Sequence, residues 1–253
     1  MARIGFIGTG EIAALMVQGL AGQGHQITVS DRNPQVAARL VATVSGVTMA
    51  PNAEVVAGSD IVVLCLLAKV ADAALTGLPF RSGQSVISVM VDVGLDRLRA
   101  LCAPATDIAI TIPLPPIATG GCPLPVFPAS PALEQLYGAK NRVFTVRDEV
   151  ALNAHFGATA FCSPFLEQVL TTAAWLADFT GDTDQSQAYV RDVLRGYLPA
   201  DGPAGHLGAA LQSLSTEGGL NATLRAAMTG ANDDLRAGLD GFRARLGLDG
   251  NVT

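Results

Sequence analysis

The sequence predicts a doubly wound α/β domain followed by a smaller all-helical domain. In the first half of the chain, short strand-type runs alternate with helical patterns, which is typical of a parallel sheet covered by helices. The run IVVLCLL at 61–67 is apolar throughout, as expected of a central parallel strand buried on both faces. After about residue 150 the strand signals vanish and helical patterns continue. We therefore expect one domain over residues 1–149 and a second over residues 150–253.

The alternation of the first domain begins within its first residues. A strand-type run at 4–7 leads into a helical pattern at 11–24 that ends on glycine. The elements that follow are a strand at 26–30, a helix at 33–43 with proline near its start, a short helix NAEVVAGS, the strand at 61–67, a helix near 69–76 and a strand at 84–91. This order predicts a mostly parallel sheet with helices on both faces.

A proline-rich segment at 111–131 interrupts the alternation. Its seven prolines, from Pro113 to Pro131, exclude an α-helix there. Two interpretations remain open: a surface connection or edge segment, or a rigid wall of a cleft.

The second half contains five helical patterns, at 164–180, 184–197, 204–213, 219–229 and 231–246. Ser163-Pro164 fits an N-cap followed by proline at the first helical position. Gly181 fits a C-terminal stop.

The composition excludes several classes of partner. The net charge is −6, Lys69 and Lys140 are the only lysines, and no run of basic residues occurs, so nucleic-acid binding is not expected. The four cysteines form no CxxC pair and the three histidines lack metal-ligand spacing, which favours free thiols and no metal site.

The apolar content is high for a protein of this length. Hydrophobic residues make up 49% of the chain and charged residues only 15%. This balance predicts more apolar surface than one subunit covers, and hence a homodimer or a larger homo-oligomer. No apolar run approaches the ~18 residues of a membrane span, and the first residues lack the pattern of a signal peptide, so we expect a cytoplasmic protein.

A glycine motif joins the first strand to the first helix. It reads Gly8-Thr9-Gly10-Glu11-Ile12-Ala13, which is G-x-G-x-x-A in a strand–turn–helix context. In such a motif the first glycine permits the tight turn, and the second lets the backbone approach a pyrophosphate at the helix N-terminus. The motif predicts a Rossmann-type dinucleotide site that also takes in Leu66 and Leu67, after the strand at 61–67.

Ser30-Asp31-Arg32, at the end of the second strand, determines which dinucleotide is expected. Asp31 lies close to the spacing of a carboxylate that accepts from a ribose 2′-hydroxyl, and it would repel a 2′-phosphate. Arg32 and Ser30 would hold a 2′-phosphate if Asp31 turned away. The sequence thus leaves NAD and NADP open, with a slight preference for NAD.

The stretches RIGFIGTGEIA, DRNP, SDIVVLCL and STEGGLN resemble pyrroline-5-carboxylate reductases over nearly the whole chain. The resemblance implies a Rossmann domain, a helical dimerisation domain, and a site where domains and subunits meet. Several motifs depart from the family. Leu67-Ala68 replaces Lys-Pro, the segment IPLPP at 112–116 lacks the family asparagine, and FCSP at 161–164 replaces Gly-Ser-Gly-Pro. These departures indicate a relative with a different substrate.

The STEGGLN stretch at 215–221 matches the family segment that binds the substrate carboxylate. Gly218 and Gly219 would open a helix and offer amides to an anion, aided by the helix dipole. The resemblance implies that Thr216 adds a hydroxyl and that Asn221, in place of the second family threonine, orients the reacting group. A plain capped turn between two helices is the alternative.

The chain has no lysine after Lys140, whereas related hydroxyacid dehydrogenases use a lysine acid at the first interdomain helix. His155 and His206 fit structural roles better than an acid's role. An iminium arrives already protonated, so the absence favours reduction of C=N over C=O. We expect an NAD(P)-dependent imine reductase. The alternatives are a carbonyl or deazaflavin-dependent reductase, and a non-catalytic dinucleotide-binding protein.

Overall fold

The computed structural model describes residues 1–198 and 205–249. The chain divides into two compact units, Met1–His155 and Phe156–Thr253, called here the N-terminal and C-terminal units. The division lies within the helix Glu149–Thr159, and the boundary expected from the sequence lies at the first residue of that helix.

The N-terminal unit is built on one eight-stranded sheet. Its strands are β1 Arg3–Ile7, β2 Gln26–Ser30, β3 Val47–Ala50, β4 Ile61–Leu64, β5 Ser85–Ser88, β6 Asp107–Thr111, β7 Pro123–Phe127 and β8 Arg142–Thr145. They lie in the order β3-β2-β1-β4-β5-β6-β7-β8. The first six strands are parallel, and β7 runs antiparallel to β6. The predicted doubly wound fold is confirmed.

Helices connect these strands. They are α1 Glu11–Gly19, α2 Pro34–Thr43, α3 Asn52–Gly58, α4 Ala71–Leu75, α5 Leu95–Leu101, α6 Pro131–Tyr137 and α7 Glu149–Thr159. Two 3-10 helices, Ala68–Val70 and Pro115–Ala118, complete the set. The chain from 11 to 24 is helical only as far as Gly19, because a turn with Gly22 and Gly24 at positive φ follows.

Alternate residues of each strand reach opposite faces of the sheet, as the period of two requires. Ile4 and Phe6 of β1 pack in the cluster that also contains Met16 and Leu20. Val62 and Leu64 of β4 pack in a second cluster with α3, α4 and α5. The sheet is therefore buried on both faces, which explains the unbroken apolar run of β4.

The proline-rich segment contains a strand that the sequence did not predict. Pro123 and Pro125 lie in β7, where proline cannot donate to a ladder. β7 pairs with β6 only at Ile110–Phe127 and Thr111–Val126, beyond both prolines. The Thr111 hydroxyl donates to the Pro125 carbonyl at 2.7 Å. The Thr111 hydroxyl thus provides a donor for the Pro125 carbonyl at the point where the backbone pairing with β6 ends.

The described residues of the C-terminal unit form helices joined by turns, without a strand. Its helices are α8 Cys162–Thr180, α9 Thr183–Tyr197, α10 His206–Ser213, α11 Leu220–Ala227 and α12 Thr229–Asp240. Gly181 ends α8 in the left-handed conformation with φ 71°, as predicted. Phe161, and not Ser163, is the N-cap of α8, so the Ser-Pro pair lies inside its first turn. The pattern at 231–246 is helical only to Asp240, and residue 204 of the predicted 204–213 helix lies outside the described residues.

Few apolar side chains of the C-terminal unit are buried. Among its described residues, Ala173 and Leu246 are the only hydrophobic residues that are buried. Trp175 is 62% exposed and Phe179 is 74% exposed. None of the described helices combines the length and the apolar character that crossing a bilayer requires.

Candidate functional site

The turn between β1 and α1 is fixed by the backbone of β4 and by a side chain of β2. Gly8 has φ 95°, and a Cβ placed on it would lie 2.3 Å from the carbonyl oxygen of Cys65. Its N–H donates to the Ser30 Oγ at 2.9 Å. Only glycine satisfies both the conformation and the close approach. The glycine motif therefore builds a turn with one conformation at the carboxyl end of the sheet.

The first turn of α1 offers backbone donors. Gly10 is the N-cap, and no side chain caps it within the described part of the chain. A Cβ on Gly10 would meet no atom within 4 Å, so this glycine leaves open space beside the helix terminus. Glu11 and Ile12 begin the helix, and their amides lie beyond the reach of the intrahelical ladder. Such a terminus is suited to an anion.

Thr9 has an unsatisfied hydroxyl. Its side chain is 3% exposed, and its Oγ1 has no hydrogen-bond partner among the described residues. A buried hydroxyl without a partner costs about 1–3 kcal/mol. Because Thr9 lines the cleft described next, a ligand with an acceptor oxygen would satisfy it.

A cleft of about 240 Å³ opens at this turn, where the chain order of the strands reverses between β1 and β4. The cleft is lined by Gly8, Thr9, Gly10, Arg32, Asn33, Cys65, Leu66, Leu67 and Val70. Six of the ten residues predicted to bind the cofactor lie in this lining: Gly8, Thr9, Gly10, Arg32, Leu66 and Leu67.

The four other predicted residues, Glu11, Ile12, Ser30 and Asp31, lie next to the cleft but outside its lining. Ser30 is fully buried and holds Gly8, so its hydroxyl is part of the turn. The Asp31 amide donates to the Ala50 carbonyl at 3.2 Å, and its side chain is exposed. Sequence reasoning missed Asn33, Cys65 and Val70. Asn33 directly follows Arg32, and adjacency is the signal that would have found it.

The electrostatics of the cleft are simple. Arg32 is the only charged side chain in the lining. Burial raises the pKa of the Cys65 thiol to about 12, so this group is neutral at physiological pH. The cleft therefore carries a positive charge at its β2 side and an uncapped helix terminus at its centre.

The glycine turn of the C-terminal unit precedes α11. Gly218 has φ 72°, and Gly219 is the N-cap of α11 without a side-chain cap. The N–H of Gly219 donates to the Thr216 carbonyl at 3.0 Å, so this amide is engaged within the turn. The expectation that the Gly219 amide is open is wrong for this structure. Among the described residues, the amides of Gly218, Leu220, Asn221 and Ala222 have no acceptor at this terminus, and the first amide of the helical ladder is that of Thr223, which donates to the Gly219 carbonyl.

Arg225 is a residue of this turn that sequence reasoning missed. Its Nη1 donates to the Ser215 Oγ at 2.9 Å and approaches the Leu211 carbonyl at 3.4 Å. It lies four residues after Asn221 and hence on the same face of α11. The spacing of Asn221 and Arg225 is the signal that would have found it. A cation and an amide thus flank one helix terminus.

The remaining candidates have local roles. His155 Nδ1 bonds to the Ala151 carbonyl at 2.7 Å, and its ring packs against Phe144. Within residues 1–198 and 205–249, no group of three or more His, Cys, Asp or Glu side chains is arranged to hold a metal ion.

Comparison with known proteins agrees with this geometry. Residues 3–92 match the family model described as NADP oxidoreductase, coenzyme F420-dependent. The structure of 1-pyrroline-5-carboxylate reductase from Streptococcus pyogenes superposes with a TM-score of 0.80 at 16% identity, covering 97% of this chain and 98% of that chain. This chain has the fold of the pyrroline-5-carboxylate reductases. The resemblance found in the sequence motifs is thus confirmed at the level of the fold.

Two further structures are similar over most of their length. Pyrroline carboxylate reductase from Plasmodium falciparum, with NADP bound, has a TM-score of 0.77 at 13% identity, covering 97% of each chain. An imine reductase from Pseudomonas sp. has a TM-score of 0.66 at 16% identity, covering 97% of this chain and 92% of that chain. No curated protein matches the chain by sequence.

Proposed function

We propose that this protein is an NADP(H)-dependent reductase that acts on the C=N bond of a small, carboxylate-bearing cyclic imine. The observation that carries the proposal is the cleft at the β1–α1 turn, which is lined by the uncapped helix terminus and by Thr9, whose buried hydroxyl has no partner among the described residues. Similarity of fold to pyrroline-5-carboxylate and imine reductases supports the reaction class.

The cleft residues fit a dinucleotide. The amides at the start of α1 and the Thr9 hydroxyl would hold the pyrophosphate, which carries the acceptor oxygens that these donors lack. A bound dihydronicotinamide supplies the hydride. Arg32 would hold a 2′-phosphate, since it lines the cleft whereas Asp31 does not. This arrangement favours NADP over NAD, the reverse of the slight preference from sequence.

The glycine turn of the C-terminal unit would bind the substrate. Its open amides at Leu220 and Asn221 and the Arg225 guanidinium are donors suited to a carboxylate. Asn221 both donates and accepts, so it would orient the nitrogen of the imine, and Thr216 would add a hydroxyl. Gly218 allows the turn, and Gly219 begins the helix. An iminium needs no acid residue to activate it, so positioning and fixed dipoles are the protein's contribution.

The same proposal includes a homodimer formed through the C-terminal unit. Its exposed aromatic side chains include Trp175 and Phe179 on α8, whose ring centroids lie 5.1 Å apart with the ring planes tilted by 58°. A helical unit with so few buried side chains needs a partner surface to be stable. A second copy is the partner we propose, because the chain is rich in apolar residues and its net charge is small.

One observation favours a second candidate. The matching family model names coenzyme F420 as well as NADP. A deazaflavin-dependent reductase would use the same cleft, and a non-catalytic dinucleotide sensor would bind without turnover.

A thermal-shift titration tests the cofactor part of the proposal. NADPH is expected to raise the melting temperature more than NADH, since a ligand bound only by the native state stabilises it. Arg32→Ala is expected to reduce the NADPH shift to that of NADH. Arg39→Ala, an exposed arginine on α2, is the matched control and leaves both shifts unchanged. Stabilisation by F420 alone would support the second candidate, and no stabilisation by any cofactor would contradict both.

Oxidation of NADPH with 1-pyrroline-5-carboxylate and other cyclic imines tests the substrate part. Asn221→Ala and Arg225→Ala are expected to lower kcat/KM at least tenfold without changing the NADPH shift. Nucleotide binding without turnover of any imine or carbonyl would support a sensor.

A further inference from the structure

Asp92 has an unusual backbone conformation. Among the described residues it is the only one other than glycine with a positive φ, at 65°. Aspartate tolerates this left-handed region better than most residues, yet glycine adopts it without strain. Strained residues that persist in a fold often lie at functional sites.

Asp92 lies at the same edge of the sheet as the cleft. It follows β5, and the Val89 N–H donates to the Leu64 carbonyl at 3.0 Å. This bond aligns the carboxyl end of β5 with that of β4, from which the chain continues into Leu66 and Leu67 of the cleft lining. A dinucleotide lies across this edge with one half on each side of the switch point. The β4–β5 side is opposite to Arg32, so it belongs to the nicotinamide half.

The neighbours of Asp92 fix its backbone. Met90 and Val93 are each 3% exposed and pack in the cluster in which Leu66 is partly buried. The amide of Met90 donates to the buried Ser88 Oγ at 3.2 Å. Asp92 itself is exposed between these anchors. The segment therefore fixes the backbone that carries Asp92 at the sheet edge, and the carboxylate is exposed there.

The Asp92 carboxylate has no ion-pair or hydrogen-bond partner among the described residues. Most other aspartates of the N-terminal unit have one: Asp60 with Arg3, Asp72 with Arg97, Asp96 with Arg99, Asp107 with Ser85 and Asp148 with Arg147. An exposed carboxylate without a cation, at the same sheet edge as the cleft, is suited to a cationic ligand.

We propose that Asp92 binds the cationic nitrogen of the substrate, the iminium before reduction and the ammonium after it. This inference rests on the proposed function. The carboxylate favours the protonated imine, which is the form that accepts hydride. The C–H bond that forms at the imine carbon would take its hydride from the dihydronicotinamide, whose C–H bond breaks as it is oxidised to the nicotinamide. The C=N π pair becomes the nitrogen lone pair, and the amine takes its proton from water. The site therefore selects basic cyclic imines over neutral carbonyl compounds.

The test compares two ligands that differ only in the cation. Proline carries a ring ammonium and a carboxylate, and tetrahydrofuran-2-carboxylate has the same ring size and carboxylate but a neutral ether oxygen. Their affinities are measured by calorimetry on the full chain saturated with NADP. The wild type is expected to prefer proline at least tenfold. Asp92→Asn, which keeps a residue tolerant of positive φ, is expected to remove the preference.

Two further variants separate charge from folding. Asp92→Gly also removes the charge but relieves the backbone, so it is expected to lose the preference while its melting temperature rises. Asp96→Asn changes the same charge at an exposed position of α5 and is expected to keep the preference. Retention of the preference in Asp92→Asn, or its absence in the wild type through equal affinities or binding of neither ligand, would overturn the assignment. Failure of NADP itself to bind would instead contradict the proposed function.

Discussion

The two units of this chain differ in where they place their apolar side chains. In the N-terminal unit Phe6, Leu64 and Ile87 are completely buried on the two faces of the sheet. In the C-terminal unit Trp175 is 62% exposed and Leu220 is 90% exposed. Both units are rich in apolar residues, but only the first has a core of its own. The comparison teaches that high hydrophobic content can form a core within one unit or an exposed apolar surface, and we propose that a second copy covers the latter.

The largest effect is expected from a variant that disrupts the proposed dimer interface. Trp175→Asp places a charge on the exposed face of α8, next to Phe179. If a second copy covers this face, a buried unpaired charge and the loss of an aromatic anchor weaken the dimer by roughly 4 kcal/mol or more. We expect light scattering to show a monomer and circular dichroism to show earlier melting of the helices.

The control for this variant lies on the other unit. Val41 is 43% exposed on α2, and Val41→Asp is expected to change neither mass nor melting. A wild-type chain that is monomeric at micromolar concentration, with the same melting curve as Trp175→Asp, would contradict the interface.

The next largest effect is expected from two glycine variants of the N-terminal unit, which separate a loss of stability from a loss of cofactor binding. Gly8→Ala forces a Cβ against the Cys65 carbonyl at a positive φ, so we expect it to lower the free energy of unfolding by about 2–4 kcal/mol. Gly10→Ala adds a Cβ in open space at φ −81°, which costs little in folding. Both variants are expected to lose the thermal shift with NADPH, and urea unfolding distinguishes them. Equal stability of the two variants would mean that Gly8 is not held as described.

Local patterns carried most of what the sequence predicted. The apolar run of β4 and the G-x-G-x-x-A turn depend on neighbours within a few residues. The turn lies where it was predicted, and β4 begins at Ile61 as predicted but ends at Leu64 instead of residue 67. What the sequence missed depends on distant contacts. β7 pairs with β6 and β8, and the Thr111 hydroxyl donates to the carbonyl of Pro125, fourteen residues away. Ser30 turned out to hold Gly8, a contact across two strands.

The candidate site divides in the same way. The glycines were predicted from the G-x-G-x-x-A motif, and Arg32 from its position at the end of the second strand. Asn33 could have been predicted from its adjacency to Arg32, whereas Val70 is brought to the cleft by the packing of elements, which no sequence pattern indicates. At the second turn the donor predicted at Gly219 is lost because its amide donates to the Thr216 carbonyl, whereas the Leu220 and Asn221 amides stay open because they precede the first bonded amide of α11. A propensity argument finds a glycine turn but not which of its donors stays open.

A smaller effect compares one tyrosine from each unit. Tyr137 is buried, and its hydroxyl donates to the Met16 carbonyl at 3.1 Å. Tyr137→Phe leaves that carbonyl without its donor, so we expect a loss of about 1 kcal/mol in the free energy of unfolding. Tyr189 is 63% exposed on α9, and Tyr189→Phe is expected to change stability by less than about 0.5 kcal/mol. Urea denaturation measures both, and equal losses would mean that Tyr189 is buried in solution by a partner.

The smallest effect is expected in an alkylation experiment, in which two cysteines of the N-terminal unit should not react. Burial raises the pKa of Cys102 to about 12, as it does for Cys65, so at pH 8 only about one thiol in ten thousand is ionised. Cys162 is exposed at the start of α8. Iodoacetamide at pH 8, read by peptide mass spectrometry, is therefore expected to modify Cys162 and to leave Cys65 and Cys102 intact. The rate at the buried thiols should rise about tenfold for each pH unit up to 10, because the thiolate fraction does. Modification of Cys102 as fast as Cys162 would show that the N-terminal unit opens, and the contrast between a closed core and an exposed helical surface would then be lost.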